Sequence, residues 1–219
     1  VSKFFHAVFS GWMTGAIFAI GISCWYLLKK RETKFALASI KVSAVVGIVG
    51  TLALMFSGDS SGIHMGKYQP MKLAAAEGLE DGGTRAPFSI VPGIEIPGML
   101  SILATHDIDG YVPGINQMLD GYTTPDGVRH LSVEEKMQRG KTAIDAFAKY
   151  RTLKDSDPQA AEEARQILDE NVNYFGYGYI DSCEELVPNV TLVYWAFRVM
   201  VGFGTFLLLL MIVVLWMEY

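Results

Sequence analysis

His6 and Met200 are the first two side chains in this sequence with a distinctive chemistry to offer. Histidine nitrogen and methionine sulfur form a known axial pair for a six-coordinate haem iron, and the methionine raises the reduction potential relative to some other ligand sets. Arg198 stands two residues before Met200 in an apolar stretch. An arginine there either snorkels to the interface or pairs with an anion, and a propionate would suit its bidentate fork. Lys72 and Glu77 form a second pair. Five residues apart on a helix, they lie about 140° from one another and make no i,i+4 salt bridge. They would grip two ends of one ligand or act separately. A carboxylate near a membrane interface accepts a proton from a hydroquinone where its pKa suits. Residue type alone also admits plainer alternatives: a hydrogen-bonded structural histidine, a packing methionine and a solvated helix face.

The elements that must position these residues follow from where the charges are absent. The chain has 219 residues, a net charge of −5 and 51% hydrophobic residues. Three runs carry no Asp, Glu, Lys or Arg: 22 residues from Ala7 to Leu28, 17 from Val42 to Gly58 and 19 from Val199 to Met217. A membrane span needs about 20 predominantly apolar residues, so three transmembrane helices are expected. The second is the shortest and recruits part of Phe35–Lys41, with Lys41 snorkelling. His6 opens the first span and Met200 lies near the start of the third, so the topology brings them to similar depth. Trp12, Trp25, Tyr26, Tyr194, Trp195 and Trp216 stand toward span ends, as interfacial aromatics do.

The short connection Lys29-Lys30-Arg31-Glu32-Thr33-Lys34 holds four cations and one anion, which places it in the cytoplasm by the positive-inside rule. The segment from Ser57 to Val190 then lies outside; it holds 11 Lys/Arg against 21 Asp/Glu, a net charge of −10. Within it, Tyr68–Leu79 reads as a helix with Pro70 in its first turn. The Gly/Pro-rich stretch Gly82–Gly127 should be irregular, with Met99–Ala104 packed down. Ser132-Val133-Glu134-Glu135 is a capping box, and Asp157-Pro158 supplies an N-cap and first-turn proline for a second helix. This helical hairpin serves as a lid. Tyr174, Phe175, Tyr177 and Tyr179 are expected in interfacial packing.

Several classes are excluded by what is missing. His64 and His106 are solitary, without metal-ligand spacing. There is no phosphate loop, no nucleophile elbow and no basic stripe for nucleic acid. Cys24 and Cys183 fall on opposite sides of the membrane, so no disulfide joins them. The chain opens on Val1 and closes on Tyr219, each beside an apolar helix, and the expectation is a fragment of a larger membrane protein.

Taken in order, the residues resemble subunit I of the cytochrome bd quinol oxidases. The resemblance is carried by Lys3-Phe4-Phe5-His6 with Gly11 and Thr14-Gly15, and by Gly21-Ile22-Ser23 with Trp25-Tyr26. It continues through Gly58-Asp59-x-Ser61-Gly62 and Gln69-Pro70-x-Lys72-x-Ala74-Ala75-x-Glu77, and ends in Trp195-Ala196-Phe197-Arg198-Val199-Met200-Val201-Gly202. It implies the fifth to seventh transmembrane helices of that subunit, with the quinol loop between the last two.

The fold implied is all-α and membrane-integral: residues 1–57 as two spans, 58–186 as an extracytoplasmic quinol-binding loop, and 187–219 as the third span. His6 and Met200 are implied as axial ligands of the low-spin haem b, Arg198 as the arginine beside that haem, and Lys72 and Glu77 as quinol residues. The ligands of the high-spin haem b and haem d, which reduce oxygen to water, lie outside this chain. The implied setting is the bacterial inner membrane. The implied partners are lipid, quinol, the rest of subunit I, subunit II and a small accessory subunit. A membrane haem protein that only transfers electrons, without a quinol site, is the alternative.

Overall fold

The computed structural model describes residues Ser2–Met217. Its elements in chain order are α1 (Ser2–Leu28), α2 (Thr33–Tyr68), α3 (Pro70–Glu77), β1 (Phe88–Val91), β2 (Ile94–Ile96), α4 (Met99–Thr105) and α5 (Ile115–Asp120). There follow β3 (Tyr122–Thr123), β4 (Arg129–His130), α6 (Val133–Leu153), α7 (Pro158–Asn171), two 3₁₀ segments (Val172–Tyr179 and Cys183–Leu186) and α8 (Val190–Met217). Three helices are long and apolar enough to cross a membrane, within Lys3–Leu28, Thr33–Tyr68 and Cys183–Met217. The protein is therefore all-α and membrane-integral, as the uncharged runs predict. The chain divides into two compact units, one of residues 1–68 with 195–219 and one of residues 69–194.

In the first unit α1 and α2 form an antiparallel hairpin. Lys30 and Glu32 turn the chain with positive φ of 51° and 44°, and the amides of Lys29, Lys30 and Arg31 close the end of α1 on the carbonyls of Trp25, Leu27 and Tyr26. The facing stripe of α2 is mostly small: Ala36, Ala44, Gly47, Gly50 and Thr51 are buried, together with Ile40. Small residues let helix backbones approach where lipid supplies no hydrophobic drive. A Cβ on Gly50 would lie 3.2 Å from that of Trp12, and one on Gly47 would lie 2.9 Å from that of Ala16 and run into the Met211 sulfur. Met211 of α8 thus closes a three-helix contact with Ala44 and Ile20. Ser23 donates a hydrogen bond to Ser39 across the hairpin at 2.9 Å.

α2 does not stop where its uncharged run stops. The Gly58–Gly62 stretch continues as helix to Tyr68. Gln69 begins a new short helix with Pro70 in its first turn, ended by Gly78 in the left-handed region at φ 65°. The helix expected over Tyr68–Leu79 is thus present as α3 with Pro70 in its first turn, and the chain breaks at Gln69 because Pro70 lacks an amide proton and restricts the residue before it.

In the second unit the Gly/Pro-rich stretch is more regular than expected. It holds β1–β2, closed at Pro92-Gly93, and β3–β4, closed at Asp126-Gly127. Gly93 and Gly127 adopt φ of 88° and 80°, the conformations that these turns demand of glycine. Gln117 ties the loops together: its carbonyl oxygen accepts from the amides of Gly82 and Gly114 at 2.7 and 2.8 Å, and its amide donates to the Gly82 carbonyl. Met99–Ala104 is packed down as expected, with Leu100, Ser101 and Ala104 buried. The helical hairpin forms as read. Ser132 and Glu135 make a reciprocal capping box on α6, and Asp157 accepts from Ala160 at the start of α7. The aromatic run coils as a 3₁₀ segment along α6. Gly178 meets Gly140 so closely that a Cβ on either would strike the other's backbone.

Candidate functional site

His6 lies on the side of α1 that meets α2. Its Nδ1 is 3.1 Å from Ser57 Oγ, and Ser57 Oγ donates to the Leu54 carbonyl at 2.9 Å. The serine has one proton, already directed to Leu54, so Ser57 accepts from His6 Nδ1–H. That contact leaves Nε2 as the ring nitrogen available to a ligand; metal-ligating histidines usually donate their other ring N–H to a fixed acceptor in this way. Sequence reasoning missed Ser57, since nothing in the local pattern pairs a serine with a histidine 51 residues away.

Met200 lies on α8 eleven residues before Met211, about 20° from it around the helix at 3.6 residues per turn. The two share a face, yet Met211 is fully buried while Met200 is 56% exposed. That face seals at the level of Met211 and opens at the level of Met200. Arg198 is half-buried, with its guanidinium carbon 5.5 Å from the Phe197 ring centroid. Among the described residues no group of three or more His, Cys, Asp or Glu side chains is placed to hold a metal ion. A haem iron needs only two axial donors, and an Nε2 lone pair and an accessible thioether are the right chemical types for it.

The structure does not bring Lys72 and Glu77 together on one face of α3. Lys72 is exposed, whereas Glu77 is buried beside Leu73, Ala74, Ala75 and Ala76. Tyr194, also buried, lies against Gly78 at the end of α3, and its hydroxyl shares a hydrogen bond with Ser89 at 2.9 Å.

A hairpin of apolar helices, with a third apolar helix touching it through Met211, defines an integral membrane protein. A profile of the cytochrome bd terminal oxidase subunit I family matches residues 1–219, and the chain belongs to that family. It is 35% identical over 230 residues to the cytochrome bd-II ubiquinol oxidase subunit 1 of Escherichia coli, a match covering 97% of this chain and 44% of that protein. It is 35% identical over 132 residues to the cytochrome bd ubiquinol oxidase subunit 1 of Bacillus subtilis, covering 55% of this chain and 28% of that one. The chain thus spans less than half the length of these curated relatives. The bd oxidase structure from Geobacillus thermodenitrificans is 18% identical with a TM-score of 0.48, over 96% of this chain and 57% of that one. Family and spans together make this a multi-pass protein of the inner membrane.

Proposed function

We propose that this chain is the part of a cytochrome bd-type oxidase subunit I that takes electrons from quinol at the outer face of the bacterial inner membrane. In this reading His6 and Met200 hold the low-spin haem b and Arg198 neutralises a propionate. Residues 1–57 and 187–219 form the spans, and residues 58–186 form the quinol loop on the outer side. The sidedness rests on Lys29, Lys30, Arg31 and Lys34 in the short α1–α2 turn.

The haem, when bound, supplies a one-electron acceptor. Ser57 fixes the His6 ring, so the ligating nitrogen needs no tautomer change. Lys72, exposed on α3, orients the quinol headgroup by charge-assisted hydrogen bonding. Glu77, held inside the same helix, accepts a proton from the hydroquinone and releases it to the outer water. Haem d and the high-spin haem b, ligated elsewhere in the complete subunit, would reduce oxygen, and subunit II with a small accessory subunit would complete the complex.

The observation that supports the reading best is the His6–Ser57–Leu54 relay in a chain matched to this family from end to end. The test is a reduced-minus-oxidised optical spectrum of the complete oxidase carrying His6→Ala. Selective loss of the low-spin haem b signal, with the other haems kept, is expected. An unchanged spectrum would remove that haem from these helices.

A further inference from the structure

We propose that Tyr194 is a positioning residue of the quinol site: its ring, tethered through its hydroxyl to Ser89, holds the last turn of α3 and so fixes the Glu77 carboxylate where it takes the hydroquinone proton. The proposal rests on the reading of Glu77 as proton acceptor, and it uses only contacts inside the unit of residues 69–194.

Glu77 is the last residue of an eight-residue helix. A helix that short is marginal by itself, and helix ends fray. A carboxylate placed there keeps its position only if the end is fixed from outside. One clamp is made by the backbone. Gly78 takes the left-handed φ of 65°, and the amides of Gly78 and Leu79 turn back on the carbonyls of Ala75 and Ala74 at 3.3 and 2.8 Å. The chain that leaves is tied to the start of α5, where the amides of Ile115 and Asn116 donate to the carbonyls of Leu79 and Glu80, each at 3.0 Å.

The second clamp is Tyr194. Its ring lies so close to Gly78 that a Cβ there would stand 3.1 Å from Cδ2 and 3.3 Å from Cε2. Gly78 is therefore glycine for two reasons, its φ and this ring. Both Tyr194 and Glu77 are buried. The tyrosine hydroxyl is 2.9 Å from Ser89 Oγ, and Ser89 is itself fixed in the β1–β2 ladder opposite Glu95. A phenylalanine would fill the same space, but only the phenol is tethered at its far end. Displacing a catalytic group by about 1 Å can cost about 100-fold in rate. A ring held at one end by Ser89 and pressed at its edge on the residue after Glu77 limits that displacement.

The test is steady-state quinol oxidation by the complete oxidase carrying Tyr194→Phe, Ser89→Ala, both changes, Glu77→Gln, or Tyr194→Phe with Glu77→Gln. Tyr194→Phe and Ser89→Ala break the tether from its two ends and leave a ring against Gly78. Each is expected to lower kcat about 10-fold with KM for quinol unchanged. The two together are expected to lower it no further than either alone, and Tyr194→Phe should add nothing once Glu77→Gln has removed the carboxylate. Haem spectra like those of the wild type establish folding, and if either tether variant loses haem the other carries the same test. An unchanged kcat in Tyr194→Phe would overturn the proposal. A raised KM at unchanged kcat would equally overturn it, because Tyr194 would then touch the quinol itself. Losses that multiply across Tyr194 and Glu77 would do the same, because the ring would then support the fold without acting through the carboxylate. An unimpaired Glu77→Gln enzyme is read from that variant alone; it would sink the reading of Glu77 and this proposal with it.

Discussion

The proton of Ser57 decides which nitrogen of His6 is free, and if His6 holds the haem as proposed, a residue outside every motif positions its ring. Ser57→Ala removes the acceptor of Nδ1–H without touching the ligating atom. The expected outcome is a retained six-coordinate spectrum with haem lost roughly 10–100-fold more readily, as for other second-layer partners, and a shifted midpoint potential in redox titration. Identical haem retention and potential would reduce Ser57 to packing. α3 separates the two quinol-site candidates, Lys72 at the surface and Glu77 inside. Their variants should therefore differ in kind. Lys72→Gln should raise KM for quinol more than it lowers kcat. Glu77→Gln should lower kcat by about 100-fold or more if the carboxylate is the proton acceptor. Steady-state quinol oxidation separates the two, and an unimpaired Glu77→Gln enzyme would remove the carboxylate from the mechanism.

At the scale of elements, α6 shows how local chemistry sets a boundary. Ser132 accepts from the Glu135 amide, and Glu135 accepts from the Ser132 amide at 3.0 Å and from Arg129 at 2.8 Å. That backbone hydrogen bond, followed by the charge of Arg129, holds the Glu135 carboxyl below its ordinary value of 4.5. A depressed carboxylate pKa contributes stability that is present above the unfolded value and is lost as pH falls through the folded one. The protection factor of the amides in the first turn of α6, with the intrinsic pH dependence of exchange divided out, should therefore fall on acidification below about 4.5 and stay constant above it. Ser132→Ala should cost about 1 kcal/mol of local stability and leave most of that pH dependence in place, because the backbone amide of residue 132 still donates to Glu135. Protection that does not change in the variant would mean the cap is redundant with the packing of α6 on the 3₁₀ segment. Both hairpins of the Gly/Pro-rich stretch follow the same logic, because Pro92-Gly93 and Asp126-Gly127 are turn sequences flanked by β-formers.

At the scale of the whole molecule, the membrane unit is closed by one triple contact. Gly47 has room for no side chain, because Met211 and Ala16 already occupy the space. Gly47→Val would push α8 off the α1–α2 hairpin and, by overpacking, cost about 1–3 kcal/mol. The expected readout is a lowered melting temperature of the detergent-solubilised complex and, if Met200 on the displaced helix ligates the low-spin haem as proposed, loss of that haem before the others. A melting curve like the wild type would show that Met211 swings aside. The length of α2 also belongs to this scale. Its 36 residues span about 54 Å, against about 30 Å of hydrocarbon, so the helix carries Gly58–Tyr68 beyond the membrane as a rigid extension.

Much of this was determined by residue order alone. Three uncharged runs of membrane length, a capping box, an Asp-Pro start and a proline at the head of α3 are local signals, and each acts through the few residues beside it. His6, Lys72, Glu77, Arg198 and Met200 were legible as candidates because their types are unusual in or beside apolar helices. Only the tertiary structure decided that α2 runs on through Gly58–Gly62, since a helix already nucleated by its neighbours tolerates glycines that would not start one. Only it paired Ser57 with His6, opened the face of Met200 while sealing that of Met211, and hydrogen-bonded Ser89 to Tyr194. Those contacts join positions 51 and 105 residues apart. No periodicity along the chain encodes such a pairing; it exists only once the helices have packed.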